Sequence, residues 1–195
     1  MRLRARSFVL ACLLACPQAI AQSPPAPGAP LPEIMRQLAQ APERRAAFRE
    51  VKRLAALDAP LHSNGTLHYR RPGYLEKLTL FPNRESLVVD GDRLVITPGD
   101  EPPRVVDLGG QPALRALIDA VRAPMAGDLA TLQRAFEVET TAAPGGWRLS
   151  LTPRDPAAAR LVRQVRIVVE GADVTSVEIA EAGGDEQLLL IDPAR

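Results

Sequence analysis

The chain has 195 residues, of which 46% are hydrophobic, 24% charged and only 4% aromatic, and its formal net charge is +1. A balance this even, with no block of five like charges, argues against nucleic-acid binding. Cys12 and Cys16 are its two cysteines, both close to the amino terminus, so a folded domain further on has no disulfide framework, thiol chemistry or cysteine metal site.

The first residues read as an export signal. Arg2, Arg4 and Arg6 precede an apolar core over residues 7–16, too short to span a bilayer. Pro17 breaks that core, and Ala19-Ile20-Ala21 is a small-x-small cleavage site. Cleavage after Ala21 would leave 174 of the 195 residues and remove three arginines, taking the net charge from +1 to −2. Leu13-Leu14-Ala15-Cys16 also resembles a lipobox, which would put a lipid on Cys16. Leu14 suits it poorly and Pro17 would follow the modified residue, so cleavage after Ala21 is the better match. A mature chain of this length holds one domain with a sizeable core.

Residues 22–32 carry five prolines and read as a stiff, disordered lead-in. The domain then spans residues 33–195. Ile34, Leu38 and Ala41 predict a short helix over residues 34–40, stopped by Pro42. Residues 43–58 are ambiguous. Their alanines and arginines, with Phe48, Val51, Leu54 and Ala55, favour an amphipathic helix.

After Asn64-Gly65 the pattern is that of strands. Leu67, Tyr69 and Arg71 share one face, and Thr66, His68 and Arg70 the other. Pro72-Gly73 is a turn, residues 75–81 the next strand, and Pro82-Asn83 its end. Residues 86–89 and 93–97 flank Asp90-Gly91, a hairpin signal, and residues 104–108 form a short strand. Leu114, Leu117, Ile118 and Val121 mark a helix over residues 111–121, broken at Ala123-Pro124. Asp128 caps a second short helix through residues 132–136. Strands follow at Trp147 to Thr152, around Val165 to Val169, at residues 174–181 and at 186–191, with turns at Gly171-Ala172 and Gly183-Gly184. This layout predicts an α+β fold, an antiparallel sheet with helices against one face.

Three stretches carry a family resemblance. They are Gly65-x-Leu67-x-Tyr69-x-Arg71-Pro72, then Pro82 with Val88-Val89-Asp90-Gly91-x-x-Leu94, and later Trp147-x-Leu149-x-Leu151-x-Pro153. In order and spacing they resemble the periplasmic lipoprotein carrier family LolA over about residues 33–191, and more closely a divergent branch associated with export of glycolipids, aryl polyenes or other acyl products beside RND-type transporters. The resemblance implies an incomplete antiparallel β-barrel (half-barrel) closed by helices around a hydrophobic cavity that holds acyl chains. It also favours a strand at residues 43–58, where Phe48, Glu50 and Lys52 match the family's first strand. Arg71 matches the arginine that closes the family's lid, with helix-end carbonyls near residues 123–127 as its expected partners. Alternation supports an inward Arg71, where a charge on an apolar face needs a partner; the alternative is that alternation ends by Arg71 and its side chain snorkels to water. Two departures stand out. The family's longer members add a further strand and loop after the last strand found here, and Glu76, Lys77 and Thr79 are polar where those members are more aromatic.

Little else suggests chemistry. His62 and His68 are the two histidines, and His68 lies on the polar face. Asp90 and Asp92 bracket a turn glycine, no serine has a G-x-S-x-G setting, and the Gly-Gly pairs precede no Lys-Ser/Thr. The reading is a periplasmic carrier, not an enzyme, without cofactor or metal. Its expected cavity residues are Leu67, Tyr69, Leu78, Leu80, Leu87, Val89, Leu117, Leu149, Leu151, Val165 and Ile167, with Leu78 and Leu80 also able to face the opposite side. Its expected partners are an acylated cargo (lipoprotein or glycolipid), an inner-membrane transporter of ABC or RND type and an outer-membrane acceptor. It is expected to be a monomer that binds no nucleic acid. The alternatives are a lipid-sensing regulatory module of the same half-barrel, or an accessory protein of an RND exporter.

Overall fold

A computed structural model describes residues 31–194. The export signal, the Cys16 lipobox and most of the proline-rich lead-in fall outside the described residues. Helix α1 (Leu31–Leu38) begins inside the stretch expected to be lead-in, because Pro32 fits a first helical turn.

Six strands follow: β1 (Glu43–Arg53), β2 (Leu61–Arg70), β3 (Tyr74–Phe81), β4 (Glu85–Asp90), β5 (Arg93–Pro98) and β6 (Arg104–Asp107). Helices α2 (Pro112–Ala126) and α3 (Leu129–Ala135) come next. The chain returns through β7 (Phe136–Ala143), β8 (Gly146–Pro153), a single-turn α4 (Pro156–Ala159), β9 (Val162–Glu170), β10 (Asp173–Glu181) and β11 (Glu186–Pro193). The strands form one sheet of eleven in the order β6-β5-β4-β3-β2-β1-β11-β10-β9-β8-β7. Every neighbouring pair is antiparallel. The result is the expected open antiparallel sheet with helices. Two meanders meet at the β1–β11 ladder, and β6 and β7 are the free edges.

Residues 43–53 are a strand, against local propensity. Ala46, Phe48 and Glu50 are buried or half-buried while Arg45, Ala47 and Arg49 are exposed, which is the period of two. β1 is paired along both edges, by β2 and β11, and this pairing overrides the helix preference of its alanines and arginines.

Asn64-Gly65 is not a turn before a strand. β2 already runs from Leu61, and the pair sits at a register irregularity against β3. There a Cβ on Gly65 would overlap the Leu78 carbonyl oxygen. Helix α2 also runs further than expected. Pro124 lies in its last turn, where the bond it cannot donate costs one link only, and the helix continues to Ala126. Gly127 ends it at φ 71°, its N–H donating to Pro124 O and that of Asp128 to Ala123 O. A Cβ on Gly127 would run into Ala39, so α2 ends pressed against α1. Strand β7 and helix α4 have no counterpart in the sequence reading.

The sheet's concave face is divided. Over β7 to β10 it is filled: Phe136, Leu149, Leu151, Val165 and Ile167 pack with Ile34 and Leu38 of α1, Leu132 of α3 and Ala158 of α4. Ala116, Ala120 and Ala123 of α2 face this core. The other side of α2 faces the strands from β1 to β5 and from β10 to β11.

Gly65→Ala is expected to destabilise the protein by about 1–3 kcal/mol, as backbone must move to admit the methyl group. Urea denaturation measures it, and an unchanged midpoint would contradict the close approach at Leu78.

Candidate functional site

Beneath α2 lies a cavity of about 610 Å³, within the roughly 300–1,000 Å³ typical of ligand pockets. Leu114, Leu117, Ile118, Val121 and Met125 form its roof. This is the apolar stripe legible in the sequence, and it explains why α2 has two unlike faces, alanines toward the core and large side chains toward the void. Leu67 and Tyr69 of β2, Leu75 of β3, Leu87 and Val89 of β4, and Leu94 and Ile96 of β5 line one wall. Val174, Val177 and Ile179 of β10, with Leu189 and Ile191 of β11, line the other.

Of the expected cavity residues, Leu67, Tyr69, Leu87, Val89 and Leu117 face this space. Leu149, Leu151, Val165 and Ile167 share the concave face but are at most 1% exposed in the filled core, where α1, α3 and α4 leave them no void. Leu78 and Leu80 lie on the convex face, and Leu80 is 47% exposed. The register explains the reversal. Leu67 faces Lys77 and Tyr69 faces Leu75, so Leu75, Lys77 and Thr79 turn inward.

The inward lysine is neutralised by a strand partner. Glu50, 8% exposed, accepts from Lys77 Nζ at 2.8 Å on both carboxylate oxygens and from Ser63 Oγ at 2.5 Å, and it bonds Gln187 Nε2. Lys77 Nζ also stands 5.1 Å from the Phe48 ring centroid. Burial pushes the Glu50 carboxyl up, but the bonds from Lys77 and Ser63, the Lys77 charge and the Gln187 bond outweigh it and hold the group below the usual carboxylate range. Lys77 and Gln187 line the cavity as one polar patch, and Glu43, Arg44, Arg45 and Asp173 line it as another.

Three arginines fasten the helices. Arg122 of α2 donates from Nη1 to Gly91 O in the β4–β5 turn at 2.8 Å and pairs through Nη2 with Asp119 at 2.7 Å. Arg115 pairs with Asp92 of the same turn at 2.7 Å. Arg44 of β1 donates from Nη2 to Leu38 O at the end of α1 (2.7 Å) and to Ala172 O (2.6 Å), and from Nη1 to Ala41 O at 3.3 Å. Arg71, expected to close the lid, lies in the exposed β2–β3 turn just past the end of β2. No side-chain hydrogen bond joins it to the helix ends among the described residues. The Ala123 and Pro124 carbonyls, its expected partners, are occupied by the capping N–H groups of Asp128 and Gly127. The sequence reading missed Arg44, Arg115 and Arg122. Alternation back from Phe48 places Arg44 inward, but only once the segment is a strand.

Tyr69 is fully buried on the cavity wall, and its hydroxyl has no hydrogen-bond partner among the described residues. Burial pushes that hydroxyl above the ordinary phenol range, while the charges of Arg71 and Arg44, the approach of the Arg71 guanidinium as a donor short of a completed bond, and the charge of Arg122 oppose the rise. His68 is on the convex face, bonded to Glu43 at 2.8 Å. No group of three or more His, Cys, Asp or Glu arranged to hold a metal occurs among the described residues. No helix among them is long and apolar enough to cross a membrane.

A family model described as "Outer membrane lipoprotein carrier protein LolA-like" matches residues 24–195. The chain belongs to this LolA-like family. No curated protein matches it. Among solved structures it is similar to a LolA superfamily protein from Nitrosomonas europaea, at 9% identity and a TM-score of 0.45, covering 85% of this chain and 90% of that one. A chain of the MucA/MucB complex of Pseudomonas aeruginosa aligns at 13% identity and a TM-score of 0.42, over 85% of this chain and 57% of the other. A chain of the complex between the CwlD amidase and the GerS lipoprotein of Clostridioides difficile aligns at 13% identity and a TM-score of 0.38, over 78% and 84%.

Two predictions follow from the geometry of this LolA-like site. Leu149→Ala should cost about 3 kcal/mol, as expected for truncation in a filled core. Leu87→Ala, already bordering empty space, should cost about 1 kcal/mol; denaturant midpoints compare the two. Glu50→Gln should cost about 2 kcal/mol at pH 7, the scale of hydrogen bonds to a charged group. Because the folded-state pKa of Glu50 is lowered, its contribution is present above the unfolded value of about 4.3 and is lost as pH falls through the folded value. The gap between wild type and Glu50→Gln should therefore shrink on acidification, in melts recorded from pH 7 to pH 3.

Proposed function

We propose that the protein is an exported carrier that shelters the acyl chains of a lipoprotein or glycolipid between membranes and performs no catalysis. The observation that carries this reading is the open space under α2. A partly enclosed cavity of about 610 Å³ leaves its apolar walls facing water unless something fills it, which is costly in proportion to their area. Its walls are aliphatic over most of their extent, which suits a saturated chain. Each buried methylene contributes about 0.8 kcal/mol, so a chain of about 12–16 carbons gains on the order of 10 kcal/mol before ordering costs.

The fastening of α2 supports reversible loading. Leu114 and Ile118 of the roof pack on Val89 and Leu94 of the hairpin beneath, and Arg122 donates to its Gly91 carbonyl, so α2 is tied there by noncovalent contacts. The Arg115–Asp92 pair has side chains 32% and 64% exposed, and pairs of this kind contribute about 0–1 kcal/mol. The other end of α2 is held on α1 by the tight contact at Gly127. A helix held by noncovalent contacts of this kind can lift from the hairpin to admit a chain and settle over it. Release to an acceptor requires the same lift. The export signal supports periplasmic residence, and the transporter and acceptor are expected to be membrane-bound partners.

The test is native mass spectrometry of the protein isolated from its own host's periplasm, with extraction of anything bound. A co-purifying acylated molecule is expected, and Val121→Trp, which fills the cavity from its roof, should reduce its occupancy at least tenfold. An empty protein that also ignores added acyl probes would defeat the carrier reading.

A further inference from the structure

The cavity wall holds two buried donor atoms that complete no hydrogen bond among the described residues. Tyr69 and Arg44 are directly opposed across the β1–β2 ladder, and both line the cavity. Tyr69 Oη and Arg44 Nε are the buried side-chain atoms without a hydrogen-bond partner among the described residues. Arg44 is nonetheless fixed, since its two terminal nitrogens hold the Leu38, Ala41 and Ala172 carbonyls. Asp173 Oδ1 stands 3.5 Å from the Nε without completing a hydrogen bond. A phenol O–H and a guanidinium N–H on directly paired residues of one cavity wall call for an acceptor oxygen.

The surroundings select its charge. Arg71 and Arg122 add positive charge around the Tyr69 hydroxyl. Glu43 is paired with Arg45 at 2.6 Å, and Asp119 with Arg122 at 2.7 Å. Asp173 is the remaining nearby carboxylate and is 48% exposed to solvent. The raised hydroxyl stays protonated, and so remains a donor, at neutral pH. Beyond this spot the wall continues as Leu67, Leu75, Val121 and Met125, so whatever brings the acceptor brings an apolar body with it.

We propose that Tyr69 Oη and Arg44 Nε form an oxyanion anchor that holds the carboxylate or phosphate at the head of an acyl-bearing ligand, with its chain lying under α2. This rests on the carrier reading and adds to it a polarity for the bound cargo. The ligand's head lies where β1 and β2 meet the covering helices, and its chain runs toward Lys77 and Gln187.

Isothermal titration calorimetry with three twelve-carbon probes tests it: dodecanoate, dodecyl phosphate and dodecan-1-ol. Wild type is expected to bind at least one anion ten times or more tighter than the alcohol, and the better anion identifies the head as carboxylate or phosphate. Tyr69→Phe, which keeps the ring, should lower the ratio of anion to alcohol affinity about tenfold, the scale of one hydrogen bond to a charged group. Arg44→Lys, which keeps the charge but removes the Nε donor, should lower the same ratio. If wild type binds all three probes equally, or if its anion preference survives Tyr69→Phe, the anchor is wrong while the carrier reading stands. If none of the probes binds, both are wrong.

Discussion

The fold turns on a sheet that does not close. Eleven strands curl far enough to make a concave face, yet β6 and β7 do not pair with each other. The chain passes from one free edge to the other through α2 and α3, so the covering helices are the link between edges as well as a lid. A sheet with one apolar face must bury it. This one buries only part with its own side chains. The helices α1, α3 and α4 fill the face over β7 to β10, and α2 bridges the rest, packing on Val89, Leu94 and Leu108 but leaving the cavity open.

Charge is organised around the same division. Where the concave face is filled, the inward residues are aliphatic or aromatic. Where it is open, Glu50, Lys77, Arg44 and Tyr69 point inward, and each but the last is neutralised or bonded by a side chain of a nearby strand or by a carbonyl at a helix end or turn. Buried charge without such partners is expensive. The Glu50–Lys77 pair shows the arrangement most plainly, because two cross-strand side chains, Ser63 and Gln187, complete the carboxylate's bonds.

The hairpins and the roof helix were legible because their signals are local. Asp90-Gly91 between alternating strands, and Leu114, Leu117, Ile118 and Val121 on one helical stripe, need no knowledge of the rest of the fold. Residues whose facing depends on a partner strand were not. In β3 the apolar residues Leu78 and Leu80 suggested an inward face, but the pairing of Leu67 with Lys77 sends them outward, and Glu50 makes an inward lysine tolerable. β1 reads as helix by composition because what holds it extended is pairing on both edges. β7, with Glu137, Thr140 and Thr141 among few apolar residues, has a weak pattern of its own and is defined by the strand beside it. Leu149, Leu151, Val165 and Ile167 were expected in the cavity and lie instead in the filled core, because sequence alternation cannot distinguish a face covered by helices from one left open.

The two free edges have a further consequence. An unpaired strand offers its backbone to any other extended chain, and a protein made to keep apolar surface accessible is exposed to that hazard twice over. Here one edge is only four residues long, and the arginine and aspartate at its ends, Arg104 and Asp107, face water. The other is longer but sets Glu137 and Glu139 on its outer side, where a second copy aligned against it would bring like charges together. The openness that makes room for a guest is thereby kept from becoming an invitation to stack strand upon strand.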